Sequence, residues 1–413
     1  MLSVSEAQER ILADLSPTGP ELVALADSWG RVTAGEIAAR LDNPPADISA
    51  MDGYAVRAED ARAGAVLNLV GESPAGHPFA GAVPEGGCVR LYTGSVMPAG
   101  ADSVLIQENT TAQGGAQDGA RDGAGGGRIG VTADVRAGQH IRRQGQDFAR
   151  GQVVVGQGRA ILAREVGLIA AANHAWVPVH RRPVVAILST GDEIALPGSP
   201  IPPGGIANSN APMLAALVRA SGGVPVILPD ARDDEAEIAR LGQGIARADM
   251  LLTAGGASVG RYDLVQRGLE RIGLAVDFWK IAMRPGKPLM FGRIGTVPVL
   301  GLPGNPVAAL VCGIIFALPA IRALSGRSDR LVMPEQAVLG GDLPENDQRA
   351  DHLRATLRRD AGGALVATAF SRQDSAMLRT LADSQALILR PPHAPAARAG
   401  APCQVLRLDS LSI

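Results

Sequence analysis

Aromatic residues make up only 3% of this 413-residue chain, too few to lay out the stacking platforms on which single-stranded nucleic acids bind. A basic surface is missing as well, since 39 Lys and Arg stand against 41 Asp and Glu, with a pI near 6.3. No nucleic-acid partner is expected of such a chain. The three cysteines, Cys88, Cys312 and Cys403, lie far apart with no C-x-x-C pair. That spacing argues against a disulfide framework and against a zinc site. The longest apolar stretch, residues 307–321, contains Pro319 and falls short of the roughly 20 residues that span a bilayer. Glu6, Glu9 and Asp14 near the start are unlike a signal or transit peptide. Ser3 with Glu6 reads instead as a capping box opening an amphipathic helix. A cytoplasmic protein with no membrane partner is the expectation.

What is present begins with Thr253-Ala254-Gly255-Gly256-Ala257-Ser258-Val259-Gly260-Arg261-Tyr262-Asp263, directly after the apolar run 250–252. Small residues let backbone N–H groups approach a ligand closely, and such nests favour anions. Asp263 adds the opposite charge, which makes sense if a divalent cation sits between acid and phosphate.

The chain is too long for one core, and two to four domains are expected. Residues up to 41 read as helical and then extended. Residues 43–134 have the Gly- and Pro-rich texture of small β modules. Within them, 112–130 is almost wholly Gly, Ala, Asp, Gln and Arg, a composition that cannot bury a core and reads as a mobile loop. From Val184 strands (184–188, 224–228, 250–252, 298–302) alternate with helices (211–220, 234–247, 264–272, 307–324). That pattern predicts a parallel sheet with right-handed crossovers and ligands beyond the carboxyl ends of its strands. After about residue 327, short strands at 351–357, 364–370, 386–390 and 404–408 predict a small β-barrel or sandwich.

The chemistry-bearing motifs of the alternating region stand at strand ends. Ser189-Thr190-Gly191-Asp192-Glu193 puts two acids after a turn, more than helix capping requires. Pro229-Asp230-Ala231-Arg232-Asp233-Asp234 contains an acid that caps the next helix, Asp233 or Asp234, and taken alone reads as a solvated turn. In Met283-Arg284-Pro285-Gly286-Lys287-Pro288 two cations flank a tight turn, which suits an oxyanion as well as it suits a plain hairpin. Leu302-Pro303-Gly304-Asn305-Pro306 places Asn305 as N-cap and Pro306 at the first helical position, creating a helix N-terminus that favours anions. Earlier in the chain, Ser49-Ala50-Met51-Asp52-Gly53-Tyr54-Ala55, Tyr92-Thr93-Gly94-Ser95 and Gly145-Gln146-Asp147-Phe148 are each weak singly.

Taken in order with Pro98-Ala99-Gly100-Ala101-Asp102 and Glu108, these motifs resemble the molybdopterin molybdenumtransferases over essentially the whole chain. The resemblance implies a multi-domain α/β plus β fold. Its parts are a discontinuous N-terminal region (1–42 and 135–180), an inserted β domain (43–134), an α/β molybdopterin-binding domain (181–326) and a C-terminal β-barrel (327–413). It also implies a homodimer whose active site is shared, with Asp52 and Thr93 contributed in trans. The implied reaction inserts molybdate into adenylylated molybdopterin with Mg2+-dependent release of AMP. Asp52, Glu193, Asp233 and Asp263 are then the catalytic residues, the last three holding Mg2+. Substrate falls to Thr93, Thr190, Gly191, Gly255, Gly256, Ser258, Gly260 and the Pro303-Gly304-Asn305-Pro306 turn. Molybdate falls to Arg284 and Lys287, with Arg354 and Ser375 as weaker candidates. Transient contacts with the molybdopterin adenylyltransferase and with molybdoenzyme maturation factors follow from the same likeness. Arg284 stands where the family often has lysine, Ala46 and Ile48 replace an aromatic and an Asn, and Gln146 replaces an acid. Gln373-Asp374-Ser375 fits loosely. Two rival functions are adenylylation of molybdopterin by ATP and a non-catalytic assembly scaffold. The inserted domain with Asp52 favours insertion over the first, and the retained acids weigh against the second.

Overall fold

The fold is built outward from well-signalled local elements; the structure, a computed structural model, describes residues 1–113, 127–255 and 262–411, with Ala112, Gln113, Tyr262 and Asp263 described in backbone alone. Ser3 caps the first helix, Val4–Ala13: its hydroxyl accepts the Glu6 N–H, and the Glu6 carboxylate accepts the Ser3 N–H at 2.7 Å. The buried residues of this helix, Ala7 and Ile11, share one core with Val185, Ile187 and Leu300 of the α/β domain.

Segments far apart in the first 180 residues meet in three antiparallel pairings. Pro20–Ala24 pairs with Trp176–His180, Ile37–Ala38 with Val153–Val155, and Ile48–Ser49 with Ile141–Arg142. Between them stands a six-stranded sheet in the order Ser103–Ile106, Gly53–Val56, Gly87–Leu91, Val66–Ser73, Arg128–Val131, Thr110–Gln113. Both ends of the stretch read as a mobile loop, 112–130, therefore lie in paired strands, and residues 114–126 fall outside the described residues.

The α/β domain carries all four predicted strands, in the order Val224–Ile227, Val184–Thr190, Met250–Gly255, Val297–Leu302, mutually parallel. The wholly parallel sheet of the sequence reading needs correcting. Met290–Ile294 runs antiparallel beside Val297–Leu302, and Leu274–Trp279 follows it at the edge, so the six-stranded sheet is mixed. The hairpin turns on Gly295-Thr296, with Gly295 at φ +59°, the conformation that tight hairpins require. The edge strand escaped notice because a register shift between Val276 and Phe278 breaks its two-residue alternation.

Pro306–Leu324 is the one helix among the described residues long and apolar enough to cross a membrane, and it is buried in the core of the α/β domain. Pro319 has no N–H for the carbonyl of Ile315, four residues earlier, and a π-helical segment, Gly313–Ala317, precedes it. Gln8 of the first helix fills that gap: its Nε2 donates to the Ile315 carbonyl at 2.9 Å. Gln8→Leu, which leaves this carbonyl unpaired, should cost about 1–3 kcal/mol, read as a lower denaturant midpoint at unchanged m-value.

In the C-terminal domain, Ala350–Arg359 pairs with both Leu365–Ala369 and Ala386–Arg390. Glu335–Leu339 and Pro402–Arg407 complete the circuit, closing a five-stranded barrel around Leu339, Ala367, Ile388 and Val405. A sixth strand comes from the α/β domain, where Met283–Arg284 adds in parallel to Ala350 and Asp351. The two-cation turn is thereby stitched to the barrel.

Candidate active site

Thr190 and Gly255 end adjacent strands in register. Gly255 has φ +142°, and a Cβ there would lie 2.2 Å from the Thr190 carbonyl oxygen, so only glycine fits. Gly191 has φ +149°, and the Glu193 carboxylate folds over it, 2.8 Å from where a Cβ would sit. The hydroxyls of Ser189 and Thr190 are buried at this strand end without a hydrogen-bond partner among the described residues. Unpaired buried donors are rare, and their place here marks a site built for a polar ligand.

The neighbouring acids are tied into the same corner. Asp192 Oδ1 accepts the Asp233 N–H at 3.1 Å, while Asp234 caps the helix Glu235–Gly242 through the Glu237 N–H at 2.8 Å. Asp230 accepts from Asn208 Nδ2 at 2.7 Å, and burial raises its carboxyl above the ordinary range. Among the described residues no group of three or more His, Cys, Asp or Glu side chains is gathered as a metal cage. Mg2+ does not need one, since it takes one or two carboxylates and completes its shell with water and substrate phosphate. Glu193 and Asp233, hard oxygen donors on loops pinned together, fit that requirement. Gly256, Ser258 and Gly260, and the side chain of Asp263, lie outside the described residues.

A cavity of about 300 Å³ opens beside these strand ends, lined by Arg284, Lys287, Pro303, Asn305 and Ser375, with Arg349 and Gln373 on the barrel side. The Arg284–Pro285 bond is cis, and Gly286 at φ +112° packs on Cys312, whose Sγ would be 2.3 Å from a Cβ. Arg284 makes a bidentate pair with Asp351 at 2.9 and 2.7 Å, which raises the guanidinium's pKa further. Arg349 holds the Asp347 carboxyl down to about 2. Lys287 has no carboxylate within ion-pair distance among the described residues. It is the charge left for an incoming anion.

Asn305 occupies the N-cap position, with Pro306 next, but it does not cap with its side chain. Its amide donates to Ser375 Oγ at 2.9 Å, and the Ser375 carbonyl takes the Val307 N–H at 3.1 Å. The helix start thus fastens the barrel loop and has fewer free N–H groups than the motif suggested. Arg354 is 1% exposed and does not line the cavity. Its backbone N–H and Nε donate to Gln373 Oε1, and Gln373 Nε2 returns to the Arg354 carbonyl at 3.0 Å. Gln373 is the residue of that pair that reaches the cavity wall.

Asp52 and Thr93 sit apart from all of this, on the inserted domain. Asp52 Oδ1 accepts from the Thr93 N–H at 2.6 Å and from its hydroxyl at 2.8 Å, bonds that hold the exposed carboxyl below the usual range. No inserted-domain residue lines the Lys287 cavity. A second cavity, about 360 Å³, is formed by Asn43, Pro44, Ile48, Arg142, Gln146 and Asp147. Asn43 Nδ2 donates to Asp147 at 3.0 Å. Strand pairing of Ile48–Ser49 with Ile141–Arg142 brings this cavity beside the Asp52 loop. Asn43 and Arg142 carried no motif of their own; only the pairing exposes them.

The three family models that match the chain are the MoeA N-terminal region (domain I and II) at residues 2–173, a probable molybdopterin binding domain at 186–323 and the MoeA C-terminal region (domain IV) at 336–408. Molybdopterin molybdenumtransferase 2 of Mycobacterium tuberculosis is 35% identical, covering 98% of this chain and 99% of its own. Molybdopterin molybdenumtransferase of Bacillus subtilis is 32% identical over 98% and 94%. The crystal structure of the molybdopterin biosynthesis protein MoeA from Pyrococcus horikosii superposes with a TM-score of 0.82 at 27% identity, covering 98% and 99%. Full-length likeness on both sides, over a chain with the strand-end site described above, leads to one assignment: the chain belongs to the molybdopterin molybdenumtransferase (MoeA) family, the transferases of molybdenum cofactor biosynthesis.

Proposed function

We propose that this protein inserts molybdate into adenylylated molybdopterin and releases AMP. It works as a cytoplasmic homodimer that shares its active sites between subunits. The observation that carries the reading is the 300 Å³ cavity, where Lys287 has no carboxylate partner among the described residues and shares the lining with Ser375 and Asn305 beside the strand ends. Besides Arg284 and Arg349, which pair with Asp351 and Asp347, it is lined by Lys287 and neutral donors, a set suited to a small oxyanion. The tight Gly191 and Gly255 turns and the unpaired Ser189 and Thr190 hydroxyls lie where the substrate's phosphates would approach.

Glu193 and Asp233, with Asp263, would hold Mg2+, which neutralises phosphate charge when bound. The protein's own residues do the positioning. Lys287 holds molybdate, and the Arg284–Asp351 pair fixes the turn that carries Lys287. Asp52, kept ionised by two bonds from Thr93, supplies a carboxylate at the phosphoanhydride from the partner subunit. Water adds to phosphorus and the P–O–P bridge breaks, so AMP leaves. The two dithiolene thiols form Mo–S bonds as molybdate loses one Mo–O oxygen, which departs as water with the two thiol protons. Transient docking of the molybdopterin adenylyltransferase, and of maturation factors that receive the product, belongs to the same proposal.

The test is AMP release from purified protein given molybdopterin-AMP, with and without molybdate and with Mg2+ present or chelated. Release that needs both supports the reading. Release without molybdate, or none, overturns it, and ATP-dependent addition of AMP to molybdopterin would favour adenylylation.

A further inference from the structure

Beside Asp52 stands a cation that the sequence motifs did not single out. Tyr54 and Arg90 oppose each other across the strands Gly53–Val56 and Gly87–Leu91, and Tyr92 follows Arg90 by two residues, on the same face. The Arg90 guanidinium lies 5.0 Å from the Tyr54 ring centroid and 5.4 Å from that of Tyr92. Its Nη2 donates to Gln107 Oε1 at 2.9 Å, and the Gln107 N–H donates to the Asp52 carbonyl at 3.2 Å. Arg90 also reaches Asp52 electrostatically, adding to the pull of Thr93 on its carboxylate.

This arrangement does more than fill space between two rings. A guanidinium has five N–H donors, and among the described residues Gln107 is the only hydrogen-bond acceptor Arg90 has. Contacts with the two aromatic rings restrict the planar group, so an anion that binds it loses little side-chain freedom. Asp52 alone would repel an anionic substrate. A fixed cation next to it removes that repulsion and leaves a face that accepts phosphate. Tyr92 is 39% exposed, so the stack opens to solvent.

We propose that Arg90 is a substrate-binding residue of the shared site, taking a phosphate oxygen of the adenylylated substrate beside Asp52 from across the dimer. The proposal rests on the reaction assigned above, so its test has an arm that does not need turnover. Full-length wild type, Arg90→Gln, Arg90→Lys and Tyr54→Phe are compared for AMP affinity by calorimetry. KM for molybdopterin-AMP, KM for molybdate, kcat and Tm are measured alongside.

Loss of a charge-assisted contact predicts that Arg90→Gln weakens AMP binding and raises the KM for molybdopterin-AMP about tenfold or more. The KM for molybdate and Tm stay at wild-type values. Arg90→Lys, which keeps the charge and loses the planar fork, falls between, and Tyr54→Phe matches wild type. Wild-type protein that fails to bind AMP, or Arg90→Gln that binds it normally, overturns the proposal. So does a pattern in which both Arg90 variants lower kcat and Tm together at unchanged KM, because that is a packing role. Should Arg90→Gln not fold, Arg90→Lys decides by the same AMP comparison. If wild type releases no AMP from the full substrate, the assigned reaction fails, while the AMP-binding arm still decides for or against Arg90.

Discussion

Asp52→Ala should lower molybdate-dependent AMP release by about a hundredfold or more, the scale on which positioned carboxylates act in catalysis. Tm should not move, because the side chain is exposed and its bonds run only to Thr93. Asp52→Asn separates charge from shape: it keeps an oxygen for Thr93 but loses the carboxylate, and should be nearly as slow. The proposed dimer makes the effect more informative. Asp52→Ala and Lys287→Ala place their lesions on different domains, and no inserted-domain residue lines the Lys287 cavity. In a shared site, equal amounts of the two inactive subunits, allowed to exchange, should regain about a quarter of wild-type activity. Half the dimers are then mixed, and each mixed dimer holds one intact site of two. No recovery would put Asp52 and Lys287 in the same subunit's site.

The second large effect is expected at Gly286. A Cβ there would lie 2.3 Å from Cys312 Sγ, inside a buried helix that cannot move away, at a φ of +112°. Gly286→Ala should therefore cost about 2–4 kcal/mol through overpacking and backbone strain. It should also displace Arg284 and Lys287, which flank the turn. Cys312→Ala in the same chain removes the clash but not the strain, so it should restore part of the stability and only part of the activity. Chemical denaturation and the KM for molybdate measure the two losses separately. A fully active Gly286→Ala would show that the turn is not held by its packing on Cys312.

Much of the α/β domain was legible because its strands are continuous apolar runs bounded by turn residues. The strand ends then fix where ligands lie. The missed hairpin shows the limit of periodicity. Gly295-Thr296 between two apolar runs was a readable turn signal, whereas the bulge between Val276 and Phe278 erased the alternation in Leu274–Trp279. The packing partner of the first helix was not legible for another reason: its amphipathic face was evident, but nothing in residues 4–13 says which core it covers. At the site, Lys287 and Asn305, singled out by motifs, and Ser375, suggested only by the resemblance, line one cavity. Asn305 shows that a capping position does not guarantee a capping side chain, since a barrel residue distant in sequence competes for its amide. Arg354, Gln373, Arg142 and Arg90 acquire their roles only through strand register and tertiary hydrogen bonds, which carry no local signature.

In the proposed reaction, molybdenum insertion is coupled to cleavage of the phosphoanhydride. Single-turnover reaction of the full-length protein with molybdopterin-AMP, Mg2+ and limiting molybdate measures this coupling, with released AMP and dithiolene-bound molybdenum quantified together. The prediction is equal amounts at every molybdate concentration, with Lys287→Ala lowering both in parallel. AMP released without molybdenum uptake, or molybdenum bound without AMP release, would contradict it.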